Sequence, residues 1–256
     1  MGIVRPSSRA AFQSWIGALL SLIFALNLCL ADTLRVGLDQ WPPFSGKNLP
    51  DLGLSADIIS TVFKEAGYRT EISILPWSRV ENYLKSGDLD VMGNLYHVED
   101  IAKWADNSAP YFQSKIKFVA LRERHIRWNT LTDLAPYEIG VGFGYSFGEP
   151  FDHASGLKKR SIPLTANGLQ MLLLGRLDLV IDSEEVILYH LQHELAGDAQ
   201  RFEILEPALV VQPISIGVSK NNPRAKQIIG NFNTAFAKLS KDGTIKAIVE
   251  RHLQSP

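Results

Sequence analysis

Residues 142–150 read GFGYSFGEP, and how this run is read decides between two folds. Gly144-Tyr145-Ser146-Phe147-Gly148 is a literal G-x-S-x-G, the pattern on which α/β-hydrolases carry their nucleophilic serine. The preceding YEIGVGF has the continuous apolar character of a buried strand, so the local context suits such an elbow. A triad in the order Ser…Asp…His would continue through Asp182, but it fails at the histidine. His190 and His193 fall in an amphipathic stretch directly after Asp182, and His252 lies near the C-terminus on another helix. No HGGG-type oxyanion segment accompanies them. The second reading is a turn built to hold something without breaking it. Gly142, Gly144 and Gly148 permit a tight turn with exposed backbone N–H groups at the carboxyl end of a strand.

The rest of the chain favours the second reading. Working back from this loop, IKFVAL, LDVMGN, TEISIL and TLRVGL read as strands, and SADIISTVFKEAG and WSRVENYLKSG as helices stopped at Gly67 and Gly87. Working forward, LDLVID and ISIGVS read as strands. ANGLQMLLLG is a helix that Thr165 can cap, followed by SEEVILYHLQHEL, by a long helix with Asn222 as cap and Pro223 at its first position, and by IKAIVERHL. This alternation is α/β, and no flexible linker interrupts it. Two lobes that exchange strands through a hinge fit better than two beads on a string.

The N-terminus reads as a leader. Arg5 and Arg9 precede an apolar run from Trp15 to Leu30, and small residues close it at Cys29 and Ala31, the pattern of a cleaved secretory signal peptide over residues 1–31. Cys29 also invites a lipoprotein reading, but Leu28 and Asn27 are not the small residues that lipidation needs. Cys29 is the sole cysteine, so the mature chain forms no disulfide and depends on its hydrophobic core. Loss of two cations with the leader takes the formal charge from −1 to −3, too mild for a nucleic-acid partner.

The order of motifs resembles the bacterial extracellular solute-binding proteins of family 3. LRVGLDQWPPFSG, GLSADIISTVFKEAGY, PWSRVENYLKSGDLDVM, NSAPYF, IGVGFGYSF, LLLGRLDLVID and PISIGVSKNNP…AFAKLSKDGTIKAIVERH carry the resemblance along nearly the whole mature chain. It implies a two-lobe, type II periplasmic-binding-protein-like α/β fold whose lobes are joined by two crossover strands. Lobe 1 would comprise residues 32–111 and 213–256, and lobe 2 residues 112–212. It further implies a periplasmic protein, a monomer without cofactor, that closes on a small polar solute and delivers it to an ABC permease in the inner membrane.

Ligands in such sheets bind outside the carboxyl ends of strands. That nominates Asp39 and Trp41 after the first strand, Asn94 and Tyr96 after the third, and Tyr145 and Ser146 in the opening loop. Asp182 and Ser183, before SEEVILYHL, are candidates too, with helix capping as their ordinary alternative. Trp77 stands where the family commonly offers a ring to the solute, and either tryptophan reads equally as core. His97 reads more readily as an ordinary loop histidine. Ser146→Ala is expected to weaken ligand affinity.

In one respect the chain departs from the family. Its amino-acid receptors carry an arginine for the ligand carboxylate shortly before the S-x-P-Y stretch, and here that place falls on Asp100, Ile101 or Ala102. Lys103 cannot make the same fork, and Arg79 is the candidate substitute. A basic residue often found at position 142 is Gly142 here. Two further readings stay on the same fold: a sensing partner of a membrane receptor, and a dehydratase or lyase using Asp39, Asp182 and Glu184. The His190–Glu194 stretch matches no zinc signature, and no metal site is expected.

Overall fold

Short β-branched runs, each followed by a turn and an amphipathic stretch, lay down a sheet covered by helices on both faces. The computed structural model describes residues 32–96 and 99–253; the leader, Cys29 within it, and His97 lie outside the described residues. The first unit comprises β1 (Thr33–Leu38), α1 (Leu54–Glu65), β2 (Arg69–Ile74), α2 (Trp77–Ser86) and β3 (Val91–Tyr96). A single turn, α3 (Glu99–Ala102), and β4 (Ala105–Asn107) lead into β5 (Phe112–Leu121). The second unit holds β6 (Glu138–Gly142), β7 (Lys158–Ile162), α4 (Thr165–Leu173), β8 (Leu179–Ser183), α5 (Glu184–His193) and β9 (Phe202–Ile204). The chain returns along β10 (Val210–Ser219) and ends in α6 (Ala225–Lys241) and α7 (Thr244–Leu253).

The strand order is β2-β1-β3-β10-β5-β8-β6-β7, with β4 against β10 and β9 against β5. β1 is parallel to β2 and β3, and β6 is parallel to β7 and β8. Between these blocks run two antiparallel strands. β5 and β10 pair over Phe112–Ile116 and Val210–Ile214. Beyond that stretch β5 turns to β8 and β9, while β10 turns to β3 and β4. The chain thus crosses between blocks twice, at neighbouring points, which is the geometry of a hinge.

Strand alternation sorts the core into layers. In the second block Ile116, Phe118 and Ala120 of β5 join Leu179 and Ile181 of β8 on one face, with Trp128, Phe147 and Phe151. Val119 and Leu121 point the other way, onto Leu169 and Leu172 of α4 and Leu191 of α5. In the first block Leu34, Val36 and Leu38 pack with Ile58, Ile59 and Phe63 of α1 and Phe232 of α6. Val80 and Leu84 of α2 cover the opposite face with Met92 and Leu95. Each fully buried side chain of this size contributes about 1.5–3 kcal/mol.

Two helix starts differ from the sequence reading. Thr165 is the first residue of α4 rather than its cap, and the cap position falls on Leu164 without a side-chain bond. Asn222 and Pro223 belong to a turn in which Asn222 Oδ1 accepts the Arg224 N–H, so α6 begins at Ala225. β4, β7 and β9 carry no clear strand signal in the sequence: two are three residues long, and the KKRSI of β7 is mostly exposed and polar. Among the described residues no helix is long and apolar enough to cross a membrane.

Candidate functional site

The last residues of β3 and β8 and the loops after β1 and β6 meet between the two blocks. Asp39 follows β1. Its buried carboxylate accepts the Asn94 side-chain N–H at 2.8 Å through Oδ1 and the Tyr145 hydroxyl at 2.9 Å through Oδ2. Trp41, two residues on, donates Nε1–H to Asp182 Oδ1 at 3.2 Å. The Tyr96 and Ser183 hydroxyls share a hydrogen bond at 2.7 Å. Among the described residues three side-chain bonds therefore join the blocks directly, through six of the nominated residues: Asp39, Trp41, Tyr96, Tyr145, Asp182 and Ser183. Asn94 joins them within its own block, through Asp39.

Local backbone explains how each is aimed. Trp41 and Ser45 exchange backbone hydrogen bonds across the Pro42-Pro43-Phe44 turn, and the Ser45 hydroxyl donates to the Asp39 carbonyl at 2.6 Å. This closed loop presents Trp41, which stacks on Phe44 at 4.4 Å and meets Tyr96 edge-on at 5.6 Å. Asn94 adopts a left-handed conformation, φ 56°, which Asn tolerates better than most residues. That turn aims its amide at Asp39 and Ser45, while its backbone N–H donates to the Tyr111 hydroxyl at 3.1 Å. Ser183 occupies the cap position of α5 with no capping bond from its side chain, so the capping alternative is set aside. Asp182 instead accepts the Ser183 backbone N–H at 2.7 Å and the Thr165 hydroxyl.

Burial dominates the electrostatics. Desolvation pushes Asp182 up to about 6, against the opposing bonds from Thr165, the Ser183 N–H and Trp41, with Asp39 nearby adding to the rise. Asp39 is raised for the same reason, partly offset by Asn94 and Tyr145. The Tyr145 and Tyr96 hydroxyls are held well above the usual phenol range, first by burial and then by the carboxylates beside them, Asp39 for Tyr145 and Asp182 for Tyr96.

Two nominated residues sit apart from this network. Ser146 donates to Asp152 Oδ2 at 2.5 Å, and the same carboxylate accepts the Phe147 and Gly148 N–H groups at 3.1 and 2.7 Å. The anion seat expected of this loop exists, but the chain's own Asp152 fills it. Trp77 opens α2 and packs on the Val80–Leu84 layer, with its ring edge 3.8 Å from where a side chain on Gly144 would start, at the rim of the cleft. Neither candidate cation is among the hydrogen-bond partners of Asp39 or Asp182: Arg79 is exposed on α2, and Lys103 pairs with Asp100 at 2.6 Å. A side chain on Gly142 would collide with the Tyr145 ring, 2.5 Å from its Cβ, so Tyr145 occupies the space of the basic residue expected at position 142. Glu184 is committed to an ion pair with the buried Lys117 at 2.9 Å. Sequence reasoning misses Thr165, Ser45, Tyr111 and Asp152; Thr165 looks like a cap, and nothing local marks the others.

Residues 34–255 match the family model of the bacterial extracellular solute-binding proteins, family 3, and the chain belongs to that family. It is 25% identical over 224 residues to the L-cystine-binding protein TcyJ of Escherichia coli (strain K12), covering 86% of this chain and 82% of that one. An ancestral arginine-binding protein, solved with arginine, superposes with a TM-score of 0.73 at 25% identity, covering 87% of this chain and 98% of the other. A histidine kinase sensor domain similar to periplasmic binding proteins shares the fold with a TM-score of 0.75 at 20% identity, over 87% and 96% of the two chains. The architecture is thus the type II periplasmic-binding-protein fold, and the family is one of binding proteins rather than enzymes.

Proposed function

We propose that the chain captures a small amino-acid-like solute between its two blocks and hands it to an ABC importer, with Asp39, Trp41, Asn94, Tyr96, Tyr145, Asp182 and Ser183 as the grip. The observation that carries this reading is the direct bonding of the two blocks through Trp41–Asp182, Asp39–Tyr145 and Tyr96–Ser183 at the ends of parallel strands. Opening at the β5–β10 crossover separates these partners, and a solute that replaces them draws the blocks together again. Lobe 1 then comprises residues 32–111 and 213–256 and lobe 2 residues 112–212, with the boundaries at the start of β5 and within β10.

Export fits a family described as extracellular. We place the mature chain in the periplasm, released by cleavage after Ala31, acting as a monomer with a permease of the inner membrane as partner. Trp77 forms the rim, and Ser146 shapes the loop without touching the solute. A sensing partner would need the same closing cleft, and only the docking partner separates the two roles.

Native mass spectrometry of the protein purified from its own periplasm should show a small molecule retained at one per chain. A thermal-shift screen over amino acids, amines, sugars and organic acids should then show stabilisation of about 2.7 kcal/mol at a hundredfold excess over Kd. A chain that carries no solute and responds to none of these classes does not serve as a receptor.

A further inference from the structure

The donors around Asp39 and Asp182 identify the class of solute. Both carboxylates are buried, at 4% and 1% exposure, and they lie on opposite blocks. Each has its oxygens hydrogen-bonded, yet every donor is neutral: an amide, a phenol, an indole, a hydroxyl and a backbone N–H. Among the described residues no lysine, arginine or histidine contacts either one. Lys117, the buried cation at the start of the second block, is held by Glu184 and Glu206 at 2.9 and 2.5 Å.

A buried carboxylate surrounded only by neutral donors remains an uncompensated charge, and proteins pair such charges wherever a partner is available. A cation entering between the blocks meets two of them. A carboxylate entering the same space brings a third negative charge beside Asp39 and Asp182, where among the described residues no guanidinium or ammonium is in contact to offset it. The surrounding rings act in the same direction. Trp41, Tyr96 and Tyr145 stand at the same junction of the blocks, and a ring face attracts an ammonium or guanidinium group more strongly where water is excluded.

We propose that the cleft selects a small organic cation, carrying one or two ammonium or guanidinium groups and no carboxylate: the decarboxylated counterpart of an amino acid rather than the amino acid itself. The proposal rests on the solute-binding reading and narrows it. Asp39 and Asp182 act as the two anionic ends of the site, and Trp41 is the wall between them.

Matched pairs test it directly. Isothermal titration calorimetry of the dialysed full-length mature chain would compare agmatine with L-arginine, putrescine with L-ornithine, and cadaverine with L-lysine at one ionic strength. In at least one pair the amine binds about tenfold tighter or more, the difference expected when a buried charge is left unpaired. Asp39→Asn and Asp182→Asn, each checked by circular dichroism for an intact fold, lose at least about tenfold of that affinity. An amino acid binding as tightly as its amine overturns the proposal and leaves the solute-binding reading standing. So does amine binding unchanged in both variants. If no pair binds, the proposal also falls, and the retained-solute measurement then separates the cases: a recovered carboxylate-bearing solute keeps the receptor reading, and an empty chain removes both.

Discussion

The loops after β1 and β6 stand at equivalent places, each at the carboxyl end of a parallel strand facing the other block, yet they use their polar groups in opposite ways. After β1, backbone satisfies backbone: Trp41 and Ser45 exchange N–H···O bonds at 2.8 and 3.0 Å, and Asp39 and Trp41 are free to reach across the cleft. After β6, a side chain satisfies backbone: Asp152 gathers the Ser146 hydroxyl and the Phe147 and Gly148 N–H groups, and Tyr145 alone reaches out. The motif that looks most like chemistry belongs to the loop that is closed on itself. A side chain becomes available for a ligand when its loop is already satisfied without it.

The largest effect expected tests the reaching loop through its partner. Asp182 titrates near 6 in the folded chain, against an ordinary value of 3.8. Between these values the folded chain keeps a proton that the unfolded chain has released. Stability therefore falls as pH rises from about 4 to 6, and the full cost is present above that window. Holding the ionised carboxylate in this site costs on the order of 3 kcal/mol, part of which the loss of charge-assisted bonds returns. Asp182→Asn still accepts from Trp41 and Ser183, so it should stabilise the chain at pH 7 by about 2 kcal/mol while weakening solute binding. Denaturant unfolding at several pH values measures this. A gap that is absent at pH 7, or that persists at pH 4, refutes the idea that Asp182 is a strained charge held for binding.

Asp152→Ala attacks the closed loop and has the opposite sign. Three donors lose their acceptor together, in a partly buried turn beside the Phe147–Phe151 pair. Destabilisation of about 2 kcal/mol is expected, visible as a lower urea midpoint with unchanged slope. If Asp152 were a surface decoration, the midpoint would stay where it is.

The same contrast explains what is legible in the sequence. The α/β alternation is legible because β1, β3, β6 and β8 are apolar runs with strong turn signals, and seven of the nine nominated residues lie in one network because they end or follow those strands. Asn94, Tyr96, Asp182 and Ser183 fall inside β3 and β8, while Asp39, Trp41 and Tyr145 come after β1 and β6. Local pattern does not show the bond of Ser146 to Asp152, because that partner comes six residues later, in a segment with no recognisable motif. Thr165 reads as a cap because a threonine before an apolar run is a helix-start signal, and its bond to Asp182 depends on a strand pairing that local pattern does not encode. The crossover of β5 and β10 lies between residues about a hundred positions apart, so only the family resemblance points to it.

A smaller effect tests whether Trp41 reaches across as a donor or only as a ring. Trp41→Phe keeps the stacking on Phe44 and removes the Nε1–H bond to Asp182. Loss of one hydrogen bond to a buried carboxylate costs about 1–2 kcal/mol and should raise the Asp182 pKa further. The pH dependence of stability then shifts upward relative to the parent chain. An unshifted profile would mean that the indole N–H contributes nothing to holding that charge.

Ser146→Ala is the smallest change and the sharpest test of the comparison. The hydroxyl is one of three donors on Asp152, and the two backbone N–H groups remain when it is removed. Asp152 keeps an acceptor geometry close to its present one, so the chain should lose only about 0.5–1 kcal/mol. Tyr145 is positioned by Gly142 and by its bond to Asp39, neither of which involves the serine hydroxyl. Solute affinity should therefore stay within about threefold of the parent, less than one strong hydrogen bond would give. A tenfold loss with the stability unchanged would place Ser146 in the cleft after all, and would make the two loops alike.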